Sequence, residues 1–281
     1  MDNTESPLKK HKRQPKLYIS LPSGGRWYND KILHNGAHSD LPVFSMTAND
    51  EILFKTPDAM VTGNATVENI KSCIPSILDP WAIIQLDIDS ILCAIRISSY
   101  SELMTVGHKC PKPNCGVENQ YQINLSKYLE FFATREFKDT IHVDDYTIIL
   151  KPLTYRKWTE VQKKTITLQR ALYTQSAQIE NDEEKLEFQD KIAIAINELA
   201  IQTIFDYISS VEIGGEIETD KDEIISWMKD VDLTIFQKVK AVIEQNASDW
   251  RTPVEDVVCE SCGSENKLQV SLDNSDFFGI G

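Results

Sequence analysis

The strongest constraint in this chain is a pair of cysteine turns set far apart in sequence. The first is Cys110-Pro-Lys-Pro-Asn-Cys115-Gly116, a C-x4-C turn, and the second is Cys259-Glu-Ser-Cys262-Gly263, a C-x2-C turn. Each is flanked by β-prone residues and followed by a glycine that lets the backbone fold back under a metal. Four thiolates in a tetrahedron suit zinc, with Zn–S near about 2.3 Å. The layout is that of a zinc ribbon, each turn giving two of the ligands Cys110, Cys115, Cys259 and Cys262. Four protein ligands leave no open position for water, so the metal is expected to be structural, and its binding energy is folding energy. The two turns lie roughly 140 residues apart, beyond ordinary finger spacing, which predicts a ribbon split by an insertion. A redox role for Cys259 and Cys262 lacks a thioredoxin-like pattern and leaves Cys110 and Cys115 unexplained. His108 is read as a bystander. Cys73 and Cys93 fall in helical stretches and are expected in the core.

The chain around these turns has the composition of a globular protein. It has 281 residues, 41% of them hydrophobic, and a formal net charge of -14. The first sixteen residues carry Lys9, Lys10, Lys12, Arg13 and Lys16 against Asp2 and Glu5, so the rest is more acidic still. An acidic body disfavours nucleic acid and anionic membranes. No stretch approaches the roughly 20 apolar residues a membrane span needs. Met1 to Lys16 has no apolar core of a secretory signal, which predicts a protein made in a cytoplasm.

The pattern predicts an α+β fold, mainly helical, with short β-hairpins and a split zinc-ribbon-like four-cysteine module. Residues 1–16 read as a disordered basic tail and 17–105 as an N-terminal α+β region. Residues 106–127 form the first zinc knuckle, 128–254 an inserted hairpin plus helical region, and 255–281 the second knuckle with a C-terminal tail. A strand is expected at Leu17–Leu21, before a turn at Pro22-Ser23-Gly24-Gly25. Helices are expected near 48–54, 57–62, 66–77, 80–84, 86–101, 155–180, from the acidic run at Glu180–Glu187 to Ser209, and 221–246. Thr47 with Asp50 resembles a capping box, while Thr56-Pro57 and Asp79-Pro80 place a capping side chain before a first-turn proline. Hairpins are expected at 139–152 and around Gly214-Gly215.

Other chemistry is absent from the sequence. There is no phosphate-binding G-x-x-x-x-G-K, no G-x-G-x-x-G, no H-E-x-x-H and no G-x-S-x-G. The histidines are scattered, and Asp87 and Asp89, two apart on a predicted helix, point to different faces. These observations predict a protein that is not an enzyme.

Several strings together carry a resemblance. They are Leu21-Pro22-Ser23-Gly24-Gly25-Arg26-Trp27-Tyr28, Pro42-Val43-Phe44-Ser45-Met46-Thr47-Ala48-Asn49-Asp50-Glu51 and Lys55-Thr56-Pro57-Asp58-Ala59, then Ile70-Lys71-Ser72-Cys73 and Asp79-Pro80-Trp81-Ala82-Ile83 leading to Asp87-Ile88-Asp89. They resemble the baseplate hub subunit family of T-even-type contractile-tailed bacteriophages, well over about residues 20–160 and loosely elsewhere. The resemblance implies a structural component of the virion tail baseplate hub, made in the host cytoplasm. Its partners would be other hub and tail-tube proteins or further copies of itself, and neither nucleic acid nor membrane. The alternative is a hub assembly chaperone absent from the mature virion, and a zinc-ribbon nucleic-acid module ranks lower because of the charge. Arg26 and Trp27 read either as a partner contact or as a tight turn with an aromatic anchor. Phe277 and Phe278 either fold back on the core or dock into a partner.

Overall fold

The computed structural model of the chain describes residues 13–54 and 62–272. The expected helix at 57–62, all but Thr62, and the aromatic pair Phe277 and Phe278 lie outside the described residues. The fold is mixed α and β, with eight α-helices and short antiparallel sheets among the described residues. The chain divides into two compact units, one formed by residues up to Arg135 together with those from Thr252 onward, the other by Glu136–Arg251.

The first unit starts with β1 (Pro15–Ile19), paired antiparallel with β2 (Leu41–Phe44), Ile19 opposite Leu41. Helix α1 (Ala48–Phe54) begins with the predicted reciprocal cap. The Thr47 N–H and hydroxyl donate to Asp50 Oδ2 at 2.7 and 2.8 Å, and the Asp50 N–H donates to Thr47 Oγ1 at 3.3 Å. Helix α2 (Asn64–Cys73) ends four residues before the expected position, and Asp79 caps a single 3-10 turn at Pro80–Ala82. Helix α3 (Gln85–Ser99) is buried nearly all round, with Asp87, Ser90, Arg96 and Ser98 buried among its apolar residues. Ile91, Leu92, Cys93, Ala94 and Ile95 are at most 1% exposed, and Cys73 is also buried. Helix α4 (Leu125–Ala133), capped by Asn124, packs Tyr128 and Phe132 on α3. Two hairpins complete the unit: β3 (Leu103–Lys109) with β4 (Glu118–Asn124), and β9 (Val254–Val258) with β10 (Glu265–Gln269).

In the second unit, β5 (Thr140–Val143), β6 (Tyr146–Leu150), β7 (Ile208–Ile213) and β8 (Glu216–Glu218) form one antiparallel sheet in that order. Its helices correct the sequence reading in two places. Helix α5 (Tyr155–Arg170) passes into a π turn at Ala171–Gln175 and a 3-10 turn, and α6 (Asp182–Tyr207) restarts behind the Asn181 cap. The stretch expected as one helix at 221–246 is two, α7 (Lys221–Asp230) and α8 (Leu233–Asp249). Asp232 breaks it by accepting the Thr234 N–H at 2.7 Å.

The turn after β1 depends on a glycine. Gly25 has φ +73, and a Cβ there would sit 2.5 Å from the Cβ of His38, whose carbonyl accepts the Leu21 N–H at 2.8 Å. Gly25→Ala combines left-handed backbone with a clash against the His38 Cβ and is expected to cost about 2–4 kcal/mol in thermal denaturation. Gly24→Ala, at φ +63 with nothing within 4 Å, should cost about 1–2 kcal/mol. Equal losses in the two variants would mean that the His38 approach does not matter.

Candidate metal centre

The sequence brings the four thiols together by repeating one local device. In each hairpin the strands run into a turn whose amides fold around a sulfur. The Cys110 N–H donates to the Val117 carbonyl at 2.9 Å and the Cys115 N–H to Lys112 at 3.0 Å. On the other hairpin the Cys259 N–H donates to Ser264 and the Gly263 N–H to Cys259, both at 2.9 Å. Gly116 at φ +60 and Gly263 at φ +68 make the reversals, a conformation that side chains disfavour.

The two turns face each other. Cys110 Sγ lies 3.7 Å from Cys262 Sγ, Cys115 Sγ lies 3.7 Å from Cys259 Sγ, and all four sulfurs fall within 4.8 Å of one another. An ion about 2.3 Å from each of four tetrahedral sulfurs separates them by about 3.8 Å, close to the spacing of the Cys110–Cys262 and Cys115–Cys259 pairs. It is too long for a disulfide, whose sulfurs lie about 2.05 Å apart. His108 is not in the cluster.

A second layer of donors surrounds the sulfurs. Asn119 Nδ2 donates to Cys259 Sγ at 3.4 Å while its Oδ1 accepts the Glu260 N–H at 3.1 Å. The Ser264 hydroxyl lies 3.4 Å from Cys110 Sγ and 3.3 Å from Cys262 Sγ. Tyr121 donates across to the Val258 carbonyl at 3.0 Å, tying β4 to β9. Such donors orient ligands and stabilise thiolate. The Cys262 amide, directed at Cys259, is the chief cause that lowers this thiol to about 6, and Ser264 lowers Cys262. The Val117 amide favours the thiolate of Cys115, but lost solvent and the three neighbouring sulfurs outweigh it and push Cys115 up to about 11. Four sulfurs this close do not all ionise unless a cation shares their charge. Sequence reading missed Asn119 and Ser264, because an amide and a hydroxyl near a cysteine carry no distinctive signal.

The candidate contact residues sit on the loop after β1. The Arg26 guanidinium lies 5.2 Å over the Trp27 ring, with Arg26 exposed and Trp27 half-buried. The loop is pinned from beneath by Asp87 on α3, fully buried. Asp87 Oδ1 accepts the Ser23 N–H at 2.8 Å, and Oδ2 accepts the hydroxyls of Ser23, at 2.6 Å, and Tyr28. Asp87 and Asp89 do not act as a pair, since Asp87 is committed to this loop.

No helix among the described residues is long and apolar enough to cross a membrane. Comparison with curated proteins finds no match, and comparison with solved structures finds none either. A family model described as T4 bacteriophage base plate protein matches residues 34–279, most of the chain. The matched region spans both cysteine turns, and the chain therefore belongs to the T4 bacteriophage base plate protein family.

Proposed function

We propose that this chain is a non-enzymatic structural subunit of the phage tail baseplate hub, held together by one zinc ion bound to Cys110, Cys115, Cys259 and Cys262 as a split ribbon. The family match over residues 34–279 carries the baseplate role. Four sulfurs within 4.8 Å of one another, with N–H and O–H donors behind them, support zinc as a closed structural site. On this reading the metal ties the middle of the sequence to its C-terminal part, and residues 128–254 are carried as an insertion between the two halves of the ribbon. Partners are other hub and tail-tube proteins. The Arg26–Trp27 stack on its pinned loop is a preformed contact surface of the kind that aromatic and arginine anchors supply.

Quantitative mass spectrometry of purified virions tests the reading. A small fixed copy number per particle is expected, with the protein at the baseplate. Abundance in infected lysate with absence from finished particles would replace a hub subunit with an assembly chaperone.

A further inference from the structure

Helix α7 covers one face of the four-stranded sheet only in part. Residues directly opposite one another on neighbouring strands share a face. One such row is Tyr146, Ile213 and Glu216, and the next is Ile148, Val211 and Glu218, so two apolar rows each end in a carboxylate on the edge strand β8. On this face α7 buries Ile224 and Met228 and sets Trp227 against Tyr146, ring centroids 5.1 Å apart. Between α7 and the edge of the sheet a groove of about 340 Å³ stays open. Trp227, Tyr146, Val211 and Ile213 line it, together with the carboxylates of Glu216, Glu218 and Glu223. The lining holds no basic residue, and none of the three glutamates forms an ion pair among the described residues. One oxygen of Glu218 accepts the Thr219 and Asp220 N–H groups at 2.7 and 2.6 Å, which holds that carboxylate in place.

We infer that the groove takes one arginine side chain from an extended segment of a partner protein, a segment that adds to the open edge of β8. Charge complementarity selects the occupant. An apolar side chain would desolvate three carboxylates with no cation to answer them. Arginine brings an apolar stem for Val211 and Ile213, a planar guanidinium for the face of Trp227 and a fork of donors for the carboxylates. Strand β8 pairs only with β7 among the described residues, so its outer backbone groups are available to a further strand. Side chains alternate along an added strand, and those facing α7 enter the groove. Charge on a short edge strand also deters indiscriminate pairing, and here the negative sign favours a basic segment. A small free amine meets the ring and the carboxylates but leaves the backbone edge unused. The inference is independent of the zinc site and of the place in the hub.

Titration of the full chain, its tryptophan indoles isotope-labelled for NMR, with the blocked peptide acetyl-Thr-Val-Arg-Val-Thr-amide tests it, and Trp227→Phe identifies the Trp227 signal. A saturable shift of that signal is expected, with Kd about 1 mM or below. Replacing the peptide's arginine by lysine should weaken binding about two- to fivefold, and by citrulline, which keeps the shape and loses the charge, about tenfold. Glu216→Gln, Glu218→Gln and Glu223→Gln, all at exposed positions, should each weaken it about two- to fivefold with circular dichroism unchanged. The inference is overturned by an unmoved Trp227 signal, by a citrulline peptide that binds equally well, or by affinity indifferent to all three glutamine substitutions. Arginine amide binding as tightly as the peptide would overturn it in favour of a site for a small free cation. A Trp227 signal that moves with protein concentration alone would overturn it by placing a second copy of the chain in the groove.

Discussion

Dialysis against a strong chelator is expected to lower the melting temperature of this protein by about 10 °C or more. Structural zinc contributes about 10–16 kcal/mol to folding in isolated fingers, and each kcal/mol moves the melting point of a chain this size by about 2–4 °C. Only part of the zinc term need be lost to reach that shift. The effect follows from the connectivity: Cys110 and Cys115 stand on the β3–β4 hairpin, Cys259 and Cys262 on β9–β10, and the sulfur pairs that meet are 152 and 144 residues apart in sequence. Besides the facing sulfurs, the hydrogen bonds that hold the hairpins face to face are Tyr121–Val258, Asn119–Glu260, Asn119–Cys259 and Ser264–Cys110, two of them to the ligand sulfurs themselves. Elemental analysis of the untreated protein should give one zinc per chain. Cys259→Ser should reproduce the chelator effect, since it removes a buried ligand, and chelator should then add nothing. Hydrogen exchange should quicken in β3, β4, β9 and β10. No zinc in the purified protein, together with a melting curve indifferent to chelator, would sink the assignment.

How far the sequence could be read differs sharply from feature to feature. The cysteine cluster was legible across its sequence gap because close thiol pairs in tight glycine turns are a compact metal-binding device that needs no periodic pattern around it. The caps at Thr47 and Asp79 were legible because a side-chain oxygen three or two residues ahead of an amide is local geometry. The β2 strand was not, since Pro42 in Leu41-Pro42-Val43-Phe44 cannot donate to a ladder, and the strand survives only by pairing with β1 alone. Helix α4 follows β4 with no break, so its Asn124 cap reads as part of a strand. The interruption at Asp232 was missed because an aspartate within a helical run is as consistent with an exposed face as with a new cap. Donors to the sulfurs, and the commitment of Asp87 to a loop 64 residues earlier, come only from tertiary contact and leave no periodic trace.

Asp87→Ala is expected to cost about 3–5 kcal/mol, because it removes one carboxylate that satisfies three donors at once. Those donors are the Ser23 N–H, the Ser23 hydroxyl and the Tyr28 hydroxyl, and the first two have no ready substitute near α3. The Tyr28 oxygen in turn accepts the Ile84 N–H at 3.1 Å, and the Ser23 oxygen accepts the Gly25 N–H at 3.3 Å, so the loop and the start of α3 loosen together. The same carboxylate gives a pH signature of definite sign. Burial raises Asp87 from its ordinary 3.8 to about 6, against the lowering effect of its hydrogen bonds from Ser23 and Tyr28. Between those two values the folded chain holds a proton that the unfolded chain has released. The contribution of this group to stability is therefore fully present below about pH 4 and is lost as pH rises through about 6, by roughly 3 kcal/mol in total. The other carboxylates titrate in the wild type and in Asp87→Asn alike, so the difference between the two proteins isolates the group. Stability of Asp87→Asn relative to wild type, from urea unfolding at a series of pH values, should rise by about 3 kcal/mol between pH 4 and 7. A flat difference would mean that Asp87 is as well solvated in the folded chain as in water. A falling one would mean that its hydrogen bonds outweigh burial, and the loop carrying Arg26 and Trp27 would then be held by charge rather than in spite of it.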